Sequence, residues 1–340
     1  MAIKPPYTYV GGKRRLLKVI EENIPDSFGN FYEPFLGAGA VAIHVMENYP
    51  DRHYFLSDYN PHIPQTWLAI QHSIDDLIEL LKEHSSRHSN HYFTSVRNWD
   101  RYGMFGQLNN TEVAARFIYI CGASFGGGYS MNSAGYADNT PAIESGKPEF
   151  VVPEQNLRNL HALLNDRFVH IYRSDFALVM DNIKAGDFVY LDPPYVVDQK
   201  QDGYQGHDSY IKLDSTDEIV KSVYQYMDLV NTRGGYALGS NSDTNLTREL
   251  WDGWNKIEVK LKWTGGKNLG KDADTEVLWG NNALHRVLTS EPKLLPGEEQ
   301  EKPKQRRKAP QKDQDKQGIP EPQSGPKDAP ASQETLPTAN

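Results

Sequence analysis

A single cysteine, Cys121, in 340 residues excludes an internal disulfide and any zinc site built from several cysteines. Its expected role is that of a small buried apolar side chain. No window approaches the roughly 20 consecutive apolar residues that span a bilayer. No charged segment followed by an apolar run opens the chain, so neither export nor membrane insertion is expected. Positive charge is also short. The 36 Lys+Arg face 45 Asp+Glu, a formal net charge of -9, which on average disfavours a partner made of phosphates.

That average conceals a split. Residues 291–340 contain nine prolines, no aromatic residue and few large aliphatic ones, too little apolar surface to offset the entropy of ordering. They read as a disordered tail. Its basic and acidic residues number nine each, so the whole -9 resides in residues 1–290. Lys302, Lys304, Arg306, Arg307 and Lys308 nevertheless form a local basic cluster, which is either solvated or a non-specific phosphate contact.

Along the remaining chain, strands and helices alternate. Phe31–Phe35 reads as a strand, a glycine turn follows, and Val41–Met46 has helical periodicity. Further strands are expected at Tyr54–Leu56, Arg167–Ile171 and Phe188–Leu191. Helical spacing joins Ile74, Leu77, Ile78 and Leu81, and again Leu157, Leu160, Leu163 and Leu164. This order predicts an α/β, doubly wound and mostly parallel sheet of Rossmann type. Ile257, Val259, Leu261 and Trp263 alternate with charged residues, and Thr275–Trp279 is expected to return beside them as an antiparallel hairpin. Residues 61–164 interrupt the alternation and read as an inserted, largely helical subdomain, with residues 1–60 and 165–290 forming the main domain.

Two segments carry chemistry. Gly37 and Gly39 follow a strand and open a helix, where backbone amides can approach a ligand that side chains would otherwise block. With Ala42 they also fit the dinucleotide fingerprint, and Asp58 stands where a ribose-binding acid is needed. A nicotinamide-dependent oxidoreductase and an adenosyl-methionine enzyme both remain open from this turn. The second segment is Asp192-Pro193-Pro194-Tyr195, at the carboxyl end of an apolar strand. The Asp192 carboxylate and the Pro193 carbonyl can each accept one hydrogen bond from an exocyclic amine, and Tyr195 offers a flat face for stacking a base. Pro193 and Pro194 hold that carbonyl in place. An oxidoreductase explains the glycines but not this tetrapeptide.

In order, Tyr9-Val10-Gly11-Gly12-Lys13, Glu33-Pro34-Phe35-Leu36-Gly37-Ala38-Gly39, Leu56-Ser57-Asp58-Tyr59-Asn60, Asp192-Pro193-Pro194-Tyr195, Ser240-Asn241-Ser242-Asp243-Thr244 and Glu276 resemble the motifs of one family. It is the DNA adenine methyltransferase (Dam) family, alpha class, which uses S-adenosyl-methionine to methylate N6 of adenine. The resemblance spans about residues 7–285. It implies that Tyr9, Lys13, Glu33, Phe35, Gly37, Gly39 and Asp58 surround the cofactor. It further implies that Asp175 and Phe176 lie by its adenine, Asp175 alternatively serving as a helix cap. It implies base flipping, no metal, no membrane, and a monomer or weak dimer in the cytoplasm of a bacterial or phage-infected cell. N4-cytosine methylation, methylation of an RNA or protein amine, and a catalytically idle DNA-binding protein are the alternatives.

The departures bear on specificity. The loop Phe125-Gly126-Gly127-Gly128-Tyr129-Ser130-Met131-Asn132 resembles the family's DNA-recognition segment, which implies DNA contacts from Phe125, Tyr129, Ser130 and Asn132. Ser130 stands where the family carries arginine. Bidentate reading of a guanine by arginine is worth roughly 1–3 kcal/mol of discrimination, so a relaxed or different target is expected rather than strict GATC. Lys256, Lys260, Lys262, Lys267 and Lys271 are expected along an exposed strand edge and its turn, as phosphate contacts on a narrow basic face. His84, His88 and His91 read as a polar loop rather than a metal site.

Overall fold

The computed structural model describes residues 2–9, 11–143, 149–196, 216–261, 274–281 and 293–295. Its strands are β1 (Phe31–Glu33), β2 (His53–Asp58), β3 (Phe168–Arg173), β4 (Phe188–Leu191), β5 (Tyr236–Ser242), β6 (Asn255–Leu261), β7 (Asp274–Gly280) and β8 (Lys293–Leu295). The helices are α1 (Leu17–Glu21), α2 (Ala40–Asn48), α3 (His62–His72), α4 (Ile74–Ser86), α5 (Asn90–Arg97), α6 (Asn110–Ala123), α7 (Glu154–Asp166), α8 (Phe176–Met180), α9 (Thr216–Thr232) and α10 (Asn245–Leu250).

The strands form one sheet in the order β3-β2-β1-β4-β5-β7-β6-β8. Pairing is parallel from β3 to β5, and β7 runs antiparallel between β5 and β6. The expected α/β sheet and the late hairpin are therefore both present. Strand order reverses between β1 and β4, and such a switch point opens a crevice beyond the carboxyl ends of the strands. The glycine turn leaves β1 and the Asp192 tetrapeptide leaves β4, so both enter that crevice from neighbouring strands.

Apolar layers cover both faces of the sheet. One core gathers Phe31, Tyr54, Leu56, Trp67, Phe117 and Leu160, and the other Val189, Leu191, Val223, Met227, Trp251 and Val277. The strand β4 is buried throughout because it packs on both sides, which explains its continuous apolar run. Cys121 is fully buried, and burial pushes its thiol well above the usual range.

Residues 1–298 group into one compact unit. Within the segment 61–164, α3 and α7 pack on β2 and β3, while α4, α5 and α6 build outward from α3 and from one another. The two ends of that segment thus serve as cover for the sheet. Three expectations are corrected. His84, Ser85 and Ser86 are not loop residues but the last turn of α4, because His84 continues the spacing of Leu77, Ile78 and Leu81 into the core. Burial lowers the His84 pKa to about 4, and its ring stacks on Tyr119. Next, β6 is not a sheet edge, since Val259–Leu261 pair with β8. Finally, Lys293–Leu295 form that strand, so ordered backbone extends beyond residue 290; the remainder of the expected tail lies outside the described residues.

Candidate active site

The turn after β1 is a backbone device. Gly37 and Gly39 adopt φ of 49° and 69°, the left-handed region where a side chain is strained. A Cβ at Gly39 would lie 2.1 Å from the Trp67 ring, so no other residue fits. The floor is built from polar groups, with the Tyr7 hydroxyl donating to the Gly37 carbonyl at 2.7 Å and the Trp67 indole donating to Tyr7 at 3.3 Å. Asp58, at the end of β2, accepts from the amides of Gly37 at 3.0 Å and Asn60 at 2.9 Å. Burial outweighs these bonds and raises its pKa to about 6.

Beyond β4, Asp192 is held from two sides. Ser240 Oγ donates to Oδ1 at 2.8 Å, and Lys13 Nζ lies 2.7 Å from Oδ2. The same ammonium is 3.4 Å from Glu276 Oε1, 2.6 Å from the Gly11 carbonyl and 4.9 Å above the Tyr195 ring. Tyr195 donates its hydroxyl to Glu276. Burial pushes the Lys13 pKa down, but the Asp192 and Glu276 carboxylates together hold it above the ordinary lysine value. The buried Glu33 lies in the same field. Burial, and then the negative Asp192, raise its pKa well above the carboxylate range, and its Oε2 has no partner among the described residues. One ammonium thus stands among several carboxylates at the mouth of two adjacent strands.

The sequence model of the D12 class N6 adenine-specific DNA methyltransferases matches residues 9–264. The chain belongs to that family. Among curated relatives, it is 28% identical to the type II methyltransferase M1.LlaDCHI of Lactococcus lactis subsp. cremoris, covering 82% of this chain and 95% of the relative. It is 29% identical to M.MjaIII of Methanocaldococcus jannaschii, covering 77% and 92%. The DNA adenine methylase of Haemophilus influenzae is 26% identical, covering 78% and 88%.

The methyltransferase has a crevice whose donor set suits S-adenosyl-methionine. Glu33 Oε2 is buried without a partner among the described residues, and the Asp58 carboxylate stands beside the glycine turn, bonded to the Gly37 amide. The Phe35 and Phe176 rings lie 5.1 Å apart, two half-buried apolar faces beside the turn. The crevice therefore assembles Glu33, Gly37, Gly39, Asp58, Lys13, Asp192 and Tyr195, and Tyr9 lies over Gly37, 3.4 Å from where a Cβ would stand. Asp175 is different: it is exposed and caps α8, accepting from the Ala177 amide at 2.9 Å. Pro193 is buried and Pro194 exposed.

On the DNA side, the enzyme departs from the expected contacts. Tyr129 is 2% exposed and its hydroxyl accepts from Arg116 at 3.0 Å, so it is core and unavailable to DNA without rearrangement. Asn132 uses its Oδ1 locally, accepting from the amides of Ala134 and Tyr136. Phe125, by contrast, is 66% exposed, and Ser130 is half-buried. Lys262 and Lys267 lie outside the described residues. Lys256 is committed to Asp243 and Glu258, which removes it from the list of free cations. Among the described residues, no group of His, Cys, Asp and Glu has the arrangement of a metal site, and no helix is long and apolar enough to cross a membrane.

Some residues escaped the sequence reading. Arg116, 1% exposed, bonds the carbonyls of Val96 and Arg97 and pairs with Asp100 at 3.1 Å. Asp100 in turn accepts from the Ala137 amide, and Asn139 ties the Ser130 amide to the Gly128 carbonyl. A lone arginine inside the apolar run of α6 was the available signal.

Proposed function

We propose that this adenine DNA methyltransferase receives its target amine at Asp192 and reads a target laxer than GATC. The observation that carries the first part is the placement of Asp192, fixed by Ser240 and Lys13 at the carboxyl end of β4, beside the glycine turn of β1. An amine inside a duplex is out of reach, so the base must leave the stack at a cost of a few kcal/mol. The Asp192 carboxylate and the Pro193 carbonyl then accept its two N–H bonds, which orients the nitrogen lone pair out of the ring plane. Tyr195 stacks on the ring, its own orientation fixed by Glu276. Glu33, Phe35, Gly37, Gly39, Asp58 and Phe176 hold S-adenosyl-methionine, which when bound supplies an electrophilic methyl group. The rate gain comes from positioning and from polar groups already in place.

The segment 61–164 carries target recognition through the loop that begins at Phe125. Ser130 in place of arginine supports weaker reading of one base. The test is methylation of a random-sequence duplex, followed by base-resolution mapping and mass spectrometry of the nucleosides. N6-methyladenine in several sequence contexts is expected. N4-methylcytosine would overturn the role given to the site, and a mark confined to GATC would overturn the laxer target.

A further inference from the structure

Lys13 poses a problem for the reaction as read above. Its ammonium occupies Oδ2 of the carboxylate that must accept the target amine, at 2.7 Å, and it lies over the Tyr195 ring on which the base must stack. The side chain is only 6% exposed, so an ammonium expelled from Asp192 cannot simply turn to water. It needs a second anion within reach. Glu276, on β7, supplies one: its Oε1 is already 3.4 Å from Lys13 Nζ, and the same carboxylate takes the Tyr195 hydroxyl. Glu33 is the other carboxylate near by, and its raised pKa makes it the poorer counter-ion.

We propose that Glu276 is the alternate counter-ion of Lys13, drawing the ammonium off Asp192 when the flipped base arrives, and is thereby a positioning residue for that base. The inference rests on the reading that Asp192 receives the amine. Two arrangements of the same charges follow. In the free enzyme Lys13 bridges both carboxylates, which keeps Asp192 from standing buried and unpaired. With the base in place, the amine takes over at Asp192 while the Lys13–Glu276 pair tightens. A hydrogen bond to a charged partner is thus exchanged rather than lost, which keeps the cost of opening small.

The experiment follows flipping of the target adenine by the fluorescence of 2-aminopurine placed next to it in the duplex, so that the target keeps its amine. Glu276→Gln should weaken flipping by about tenfold or more, the scale of one charge-assisted contact. Glu276→Asp, which keeps the charge, should recover most of that loss. In a Lys13→Met background the Gln substitution should add no further loss, because no ammonium remains to be paired. Wild-type flipping by Glu276→Gln, or an equal loss with and without the Lys13 ammonium, would overturn the proposal. Asp192→Ala separates the two layers of inference. If that variant methylates like the wild type, the underlying reading of the site fails. If it is inactive while Glu276→Gln flips normally, only the counter-ion role fails.

Discussion

Ser240 stands directly beside Asp192, its Oγ donating across 2.8 Å to the carboxylate that faces the crevice. The contact is a consequence of strand register. Leu191 pairs with Gly239 in parallel β4 and β5, so the residues that follow, Asp192 just past the end of β4 and Ser240 still within β5, stand side by side. The Tyr190 hydroxyl lies 3.1 Å from the same Ser240 oxygen and steadies it from within the core. Ser240→Ala should therefore lower kcat by about ten- to a hundredfold, the scale of a hydrogen bond to a charged group. The KM for S-adenosyl-methionine should hold, which steady-state kinetics in both substrates will show. Asp192→Ala should abolish methylation while isothermal titration still detects cofactor binding.

The glycine turn makes a different kind of claim, one about backbone. At Gly39 a methyl group meets both a left-handed φ and the Trp67 ring 2.1 Å away. Strain of about 1–2 kcal/mol from the backbone and about 1–3 kcal/mol from overpacking should add. Gly37 has only the first, since the nearest atom is the Tyr9 ring at 3.4 Å. Urea denaturation should thus show Gly39→Ala as the more damaging of the two, while Gly37→Ala should weaken cofactor binding more than stability.

Asp58 gives the cofactor site a pH dependence whose sign can be worked out. Burial raises its pKa to about 6 in the free protein, above its value in an unfolded chain. Between about pH 4 and 6 the folded state consequently holds more protons than the unfolded state, and stability falls as pH rises through that window. Ribose hydroxyls donating to the carboxylate favour its ionised form. Cofactor affinity should accordingly be level above about pH 6 and fall below it, approaching about tenfold per unit. Titration calorimetry at pH 5 and pH 7.5 will measure this, and Asp58→Asn should bind weakly with no slope.

Most of the sheet was legible because each strand announces itself locally. Phe188–Leu191 is apolar throughout and ends in Asp-Pro-Pro, and Ile257–Leu261 alternates as a half-buried strand must. The motif order pointed to the crevice for the same reason, since glycines and prolines record backbone needs that do not depend on distant partners. What stayed hidden depends on partners far along the chain. Tyr129 reads as a recognition-loop aromatic, yet Arg116 from α6 draws it into the core. His84 reads as loop because Ser85 and Ser86 follow it, while Tyr119 from α6 keeps it helical and stacked. The open edge expected at the lysine-rich strand vanishes because β8 arrives from beyond residue 290. The link from Lys13 to Glu276 joins residues far apart in the chain, and no local pattern could carry it.

Ser130 offers the sharpest test of target reading. Its amide is fixed by Asn139 Oδ1 at 3.0 Å and its carbonyl accepts from the Asp138 amide at 3.1 Å, so the backbone on which residue 130 rides is braced on both sides. The side chain itself is half-buried at the base of the exposed turn 133–136. A longer cationic residue here would start from a fixed point of the backbone. Ser130→Arg should then add a bidentate contact to one guanine, worth roughly 1–3 kcal/mol of discrimination. Base-resolution mapping of random-sequence DNA should show one position of the target narrowing toward guanine, with the total rate on the best sequence at least as high as before. A target unchanged by this substitution would mean that residue 130 does not face the DNA, and that the reading of sequence lies elsewhere on the segment that begins at Phe125.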